Sequence, residues 1–68
     1  MIEIDARGLR CPQPIIELGK SIAEISTGDQ ITLLSDDPAT EPDLRAWVRM
    51  TGNDYFKLEE STFLITKN

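Results

Sequence analysis

The sequence predicts an α+β domain of element order βαβαββ. Three observations carry that prediction: polar and apolar residues alternate at the start, apolar residues recur twice at helical spacing, and strand-like runs flank a two-residue turn near the end. Ile2 and Ile4 alternate with Glu3 and Asp5, the pattern of a short strand with one buried face. Ala6-Arg7-Gly8-Leu9-Arg10 then reads as a loop punctuated by Gly8 and ended by Cys11. Pro12 suits the first position of a helix, where its missing N–H has no intrahelical partner and its fixed φ is already helical. Ile15, Leu18, Ile22 and Ile25 follow at spacings of three, four and three, so they mark one apolar face before Ser26-Thr27-Gly28-Asp29 stops the helix. Gly19 costs this helix some stability, which suggests a neighbour packed closely against it.

Residues 30–35, with Ile31, Leu33 and Leu34, read as a central strand. A strand, a helix and a second strand joined by short turns make a parallel pair with a right-handed crossover. Asp36-Asp37-Pro38-Ala39-Thr40 opens a second helix. Its cap is either Asp37 with Pro38 at the first position, the preferred reading, or Thr40 with Asp43 completing a capping box. Leu44, Trp47, Val48 and Thr51 supply the buried face of that helix, and Gly52 ends it. Residues 54–59 and 62–67 form a hairpin around Glu60-Ser61, with Tyr55, Phe56, Leu58, Phe63, Leu64 and Ile65 available to the core.

At 68 residues the chain makes one domain, 1–68, with a small core and no room for a deep substrate cavity, since a domain this short buries only about 60% of its unfolded surface. The composition, 40% hydrophobic and 28% charged, is that of a folded chain rather than a disordered one. No apolar run approaches the roughly 20 residues of a membrane span, so neither a membrane nor a signal segment is expected. A single cysteine cannot close an internal disulfide and suits the reducing cytoplasm; a monomer is expected. The formal charge of −5 argues against direct nucleic-acid binding. Its distribution is uneven: Arg7, Arg10 and Lys20 balance Glu3, Asp5 and Glu17, so the segment around the cysteine is neutral and the later residues hold the excess acid.

Cys11 is followed by Pro12, Gln13 and Pro14 at the point where the first helix should begin. Unpaired backbone N–H groups and the positive end of the peptide dipoles favour a thiolate there. With Cys11 as the N-cap, Pro12 is N1 and Pro14 is N3, which leaves the Gln13 N–H as the nearest donor to the sulfur and predicts a stiff first turn. The absences are equally informative. With no second cysteine and no histidine, dithiol redox chemistry, a zinc site and cysteine-protease chemistry are all excluded; no metal is expected, and no cofactor, because glycine-rich phosphate-binding motifs are missing too. A solitary thiolate can still accept an atom from one protein and give it to another. Each singled-out residue also has a plainer reading. Cys11 could be a small buried hydrophobe, Arg7 and Arg10 either a steering patch or solvated charges, Asp5 a support for the Cys11 loop or the end of a strand, and Trp47 with Met50 a docking patch or core.

Asp5-Ala6-Arg7-Gly8-Leu9-Arg10-Cys11-Pro12-Gln13-Pro14 resembles the signature of the TusA, or SirA-like, family of sulfur carriers, and Asp36-Asp37-Pro38-Ala39-Thr40 resembles that family's second-helix entrance. The resemblance implies a two-layer fold with two helices on one face of a four-stranded mixed sheet. It also implies a sulfurtransferase-type carrier in which Cys11 receives sulfane sulfur from a cysteine desulfurase or rhodanese, holds it as a persulfide and passes it to an acceptor protein. The acceptors it implies lie in tRNA thiolation, molybdenum-cofactor assembly or sulfur oxidation. Unlike some members, this chain has no second cysteine in the second helix, and Gln13 stands where many have Glu. A redox-sensing thiol protein and a non-catalytic interaction module are the alternatives.

Overall fold

The structure, a computed structural model, describes residues 2–10 and 12–68. The expected order is present as β1 (Ile2–Asp5), α1 (Gln13–Ile22), β2 (Gln30–Leu34), α2 (Thr40–Thr51), β3 (Asp54–Glu59) and β4 (Thr62–Thr66). The four strands form one mixed sheet in the order β1-β2-β4-β3, with β1 parallel to β2 and the other two pairings antiparallel. This is the two-layer α+β arrangement, with β2 and β4 in the centre and β3 at one edge.

Strand periodicity decides which residues reach the core. Ile31 pairs with Ile65 and Leu33 with Phe63, and all four are buried with Ala6, Leu18 from α1 and Leu44 from α2. Ile4, Ile15, Ile22, Ile25, Trp47 and Tyr55 pack around them. The same rule removes three expected core residues, Phe56, Leu58 and Leu64. Phe56 pairs with Leu64 on the opposite side of the sheet and is 66% exposed, and Leu58 is also exposed, because Tyr55 holds the inward position of β3 beside Phe63.

Several boundaries differ from expectation. Helix α1 stops at Ile22, so Ile25 reaches the core from the following turn. Thr51 is exposed rather than part of the buried face of α2. A Cβ placed on Gly19 would meet nothing within 4 Å, so no close neighbour accounts for that glycine. At the start of α2, Thr40 is already helical and its hydroxyl bonds the buried Ser35 hydroxyl at 2.6 Å, which takes it away from a capping box. The preferred Asp37 cap does not form either: Ala39 is the N-cap and Pro38 precedes the helix, because the Asp37 carboxylate accepts the Ala39 N–H at 3.0 Å and its carbonyl the Thr40 N–H in a turn that delays the first helical residue to Thr40. Gly52 closes α2 in the left-handed conformation, φ 78°, with its N–H on the Val48 carbonyl.

Candidate functional site

The loop between β1 and α1 is tied to the body of the protein at both ends. The Ala6 N–H donates to the Leu34 carbonyl at 2.7 Å, which extends the β1–β2 ladder and buries the Ala6 side chain in the core. At the other end, the Gln13 N–H donates to the Arg10 carbonyl at 2.8 Å and the Ile16 N–H to the Pro12 carbonyl at 3.0 Å. The second of these is the first i to i−4 bond of α1, so Pro12 occupies the N-cap position and Pro14 falls at N2.

This corrects the expectation of Pro12 at N1 and Pro14 at N3. The physical reason is the turn closed by the Arg10 carbonyl, which uses one residue more before the helix begins. It also corrects the expected partner of the Gln13 N–H, which is already engaged. Cys11 itself lies outside the described residues, as do the expectations about its cap geometry and the direction of its sulfur. Its neighbours on both sides are placed: Arg10 and Pro12 each offer a carbonyl to the opening of α1.

Four charged side chains surround this junction, and they are paired. Arg7 grips Asp5 at two points, Nε to Oδ1 at 2.9 Å and Nη2 to Oδ2 at 2.8 Å, while its backbone N–H donates to the same carboxylate at 3.2 Å. These contacts, led by the guanidinium bond, pull the Asp5 carboxyl down to about 2. Asp36, just beyond β2, accepts the Gly8 N–H at 3.1 Å and the Arg10 Nη1 at 3.2 Å, both on Oδ1. The Gly8 bond is the main cause that holds the Asp36 carboxyl below the ordinary range. Gly8 adopts φ 85°, a conformation that a residue with a Cβ rarely takes.

Beside the α1 entrance runs an open apolar groove between the two helices, lined by Pro12, Ile15, Ala46, Trp47 and Met50 with Asp43 at its rim. Trp47, half-buried, packs against the core and also lines this groove. Met50 is 84% exposed, and Leu9 and Ile16 also reach solvent. Sequence reasoning picked out Asp5, Arg7, Gly8, Arg10, Pro12, Gln13 and Pro14, and the structure brings these together around the loop and the first turn of α1. Reasoning from sequence placed Asp36 only in the entrance to the second helix and gave it no part in this site, because a separation of 26 to 28 residues hides its contacts from any local pattern. Among the described residues, no cluster of three or more metal-ligating side chains is present.

Residues 2–67 match the family model described as sulfurtransferase TusA. The chain belongs to the TusA family. A TusA relative, the sulfur carrier protein TusA of Allochromatium vinosum, is 34% identical over 70 residues, covering 97% of this chain and 92% of its own length. The Bacillus subtilis protein YrkF is 34% identical over 58 residues; this covers 85% of this chain but only 31% of YrkF, so the TusA-like portion is about a third of that longer protein. The crystal structure of a SirA-like protein from Desulfitobacterium hafniense superimposes with a TM-score of 0.74 at 30% identity, covering 97% of this chain and 93% of that one. Membership in the TusA family and relatives named as sulfur carriers support a sulfur-carrier role for the chain.

Proposed function

We propose that the chain carries sulfane sulfur as a persulfide on Cys11, taking it from a donor protein such as a cysteine desulfurase or rhodanese and delivering it to an acceptor protein. The observation that carries this reading is the position of the one cysteine, between Arg10 and Pro12, at the junction of a tied-down loop and the N-terminus of α1 in a TusA-family chain. In the loading step the Cys11 thiolate attacks the terminal sulfur of the donor's persulfide. A new S–S bond forms on Cys11 as the donor's S–S bond breaks, and the donor cysteine leaves as a thiolate. With no second thiol in the chain, the acquired sulfur has no internal competitor to release it.

The groove beside Pro12, together with the exposed Leu9, Ile16 and Met50, offers apolar area on which donor and acceptor proteins can rest while sulfur passes. A lone cysteine in the sequence suits a reducing compartment, which supports a cytoplasmic relay. The acceptor belongs to tRNA thiolation, molybdenum-cofactor assembly or sulfur oxidation. Incubation with a cysteine desulfurase and cysteine should add one sulfur atom to the intact protein, removable by reductant and absent from Cys11→Ala. Intact-mass spectra without that adduct, from a chain that peroxide readily oxidises, would replace this reading with a redox-sensing thiol.

A further inference from the structure

The loop that leads into Cys11 exposes Arg7, Gly8, Leu9 and Arg10 to solvent, and its internal bonds, Leu9 N–H to the Ala6 carbonyl at 3.1 Å and Arg10 Nη1 to the Leu9 carbonyl at 3.2 Å, only close it on itself. Between its two ends, the bonds from Gly8 and Arg10 to a distant part of the chain both meet at Asp36 Oδ1. Asp36 stands on a firm base. The preceding Ser35 is buried, its N–H donates to the Ser61 carbonyl at 3.0 Å, and its hydroxyl bonds Thr40 at the start of α2.

We propose that Asp36 is a positioning residue of the site: by accepting the Gly8 N–H it fixes the orientation of the loop that delivers Cys11 and so sets the rate at which a donor's sulfur reaches the thiol. The inference rests on Cys11 being the carrier thiol. Transfer between two proteins needs the attacking sulfur in line with the donor's S–S bond, and a displacement of about 1 Å can cost a large factor in rate. A small reagent that approaches the thiol from any side has no such requirement. Glycine at position 8 fits this role, because its positive φ turns the N–H toward Asp36.

The test compares wild type, Asp36→Ala and Asp36→Asn in loading from a cysteine desulfurase, in alkylation by iodoacetamide at a pH where the thiol is ionised, and in hydrogen exchange of the Gly8 amide. Asparagine keeps an Oδ1 acceptor for Gly8 and discards the charge facing Arg10. Asp36→Ala should load about tenfold more slowly while its alkylation stays within about twofold of wild type, and Asp36→Asn should load within about twofold of wild type. The Gly8 amide should be protected in wild type and Asp36→Asn and unprotected in Asp36→Ala. Loading of Asp36→Ala at the wild-type rate, loading of Asp36→Asn as slow as that of Asp36→Ala, or alkylation that falls in step with loading would overturn the proposal. A wild type that accepts no sulfur would overturn the carrier reading instead; in that event, Gly8 protection retained in Asp36→Ala would also sink the positioning role, and its loss would support it.

Discussion

Asp5 and Arg7 meet in a two-point ion pair while more than half of each side chain remains in water, and Arg10 meets Asp36 through the single Nη1–Oδ1 contact with both side chains largely exposed. Exposed pairs of this kind contribute little to stability and are screened by salt. Their sign with pH is nonetheless defined. The Asp5 carboxyl lies at about 2 in the folded chain, below its ordinary value, so what the pair contributes is present above the unfolded pKa of about 4 and is lost as pH falls through about 2. For function the consequence is electrostatic. Two arginines balanced by two carboxylates at 2.8 to 3.2 Å leave no net charge to steer a donor from beyond the screening length, about 8 Å at physiological ionic strength. Replacing both Arg7 and Arg10 by Gln should therefore change the loading rate by less than about twofold and leave its salt dependence as in wild type. Stopped-flow loading across a series of salt concentrations checks this. A steep wild-type dependence that disappears in the variant would mean that the arginines leave their carboxylates to meet the donor.

At the scale of the element, the start of α1 serves two purposes. Pro14 at N2 lacks an N–H that would have had no intrahelical partner, so its backbone costs the helix nothing, and its ring is fully buried. Pro14→Ala should restore a donor to the first turn, empty the space under the ring and widen the unfolded ensemble. The expected loss is about 1–2 kcal/mol, read from the denaturant midpoint at unchanged slope. Sulfur loading per folded molecule separates this packing role from any effect on transfer. An unchanged midpoint would show that the ring contributes no packing.

At the scale of the molecule, Lys67, the residue after β4, secures the far end of α1. Lys67 Nζ donates to the carbonyls of Ile22 at 2.9 Å and Ile25 at 2.7 Å, where α1 has run out of intrahelical donors and its dipole is negative. Lys67→Met keeps the apolar stem and removes both bonds. The expected cost is about 1–3 kcal/mol, the range for a part-buried, charge-assisted contact, or a fall in Tm of several degrees for a domain this size. A melting temperature equal to wild type would show that water satisfies those carbonyls equally well. Stability here has little reserve, because a 68-residue chain has one small core and each tie between distant segments is a sizeable part of the total.

Local pattern by itself determined the order of elements, the parallel β1–β2 pair, the hairpin at Glu60-Ser61, the glycine stop at Gly52 and the loop-to-helix junction between Arg10 and Pro12. Each of these depends on neighbours a few positions apart, where periodicity and turn chemistry act. Tertiary structure decided the rest. Phe56 and Leu58 read as core until the sheet order placed β3 at an edge and the pleat turned them away from the helices. The one-residue shift of Pro12 and Pro14 followed from a turn bond to Arg10, a competition that propensities do not resolve. The pairing of Arg10, the anchoring of Gly8 and the role of Asp36 needed residues 26 to 28 positions apart to meet in space, and only the packed sheet brings the end of β2 against the loop that follows β1.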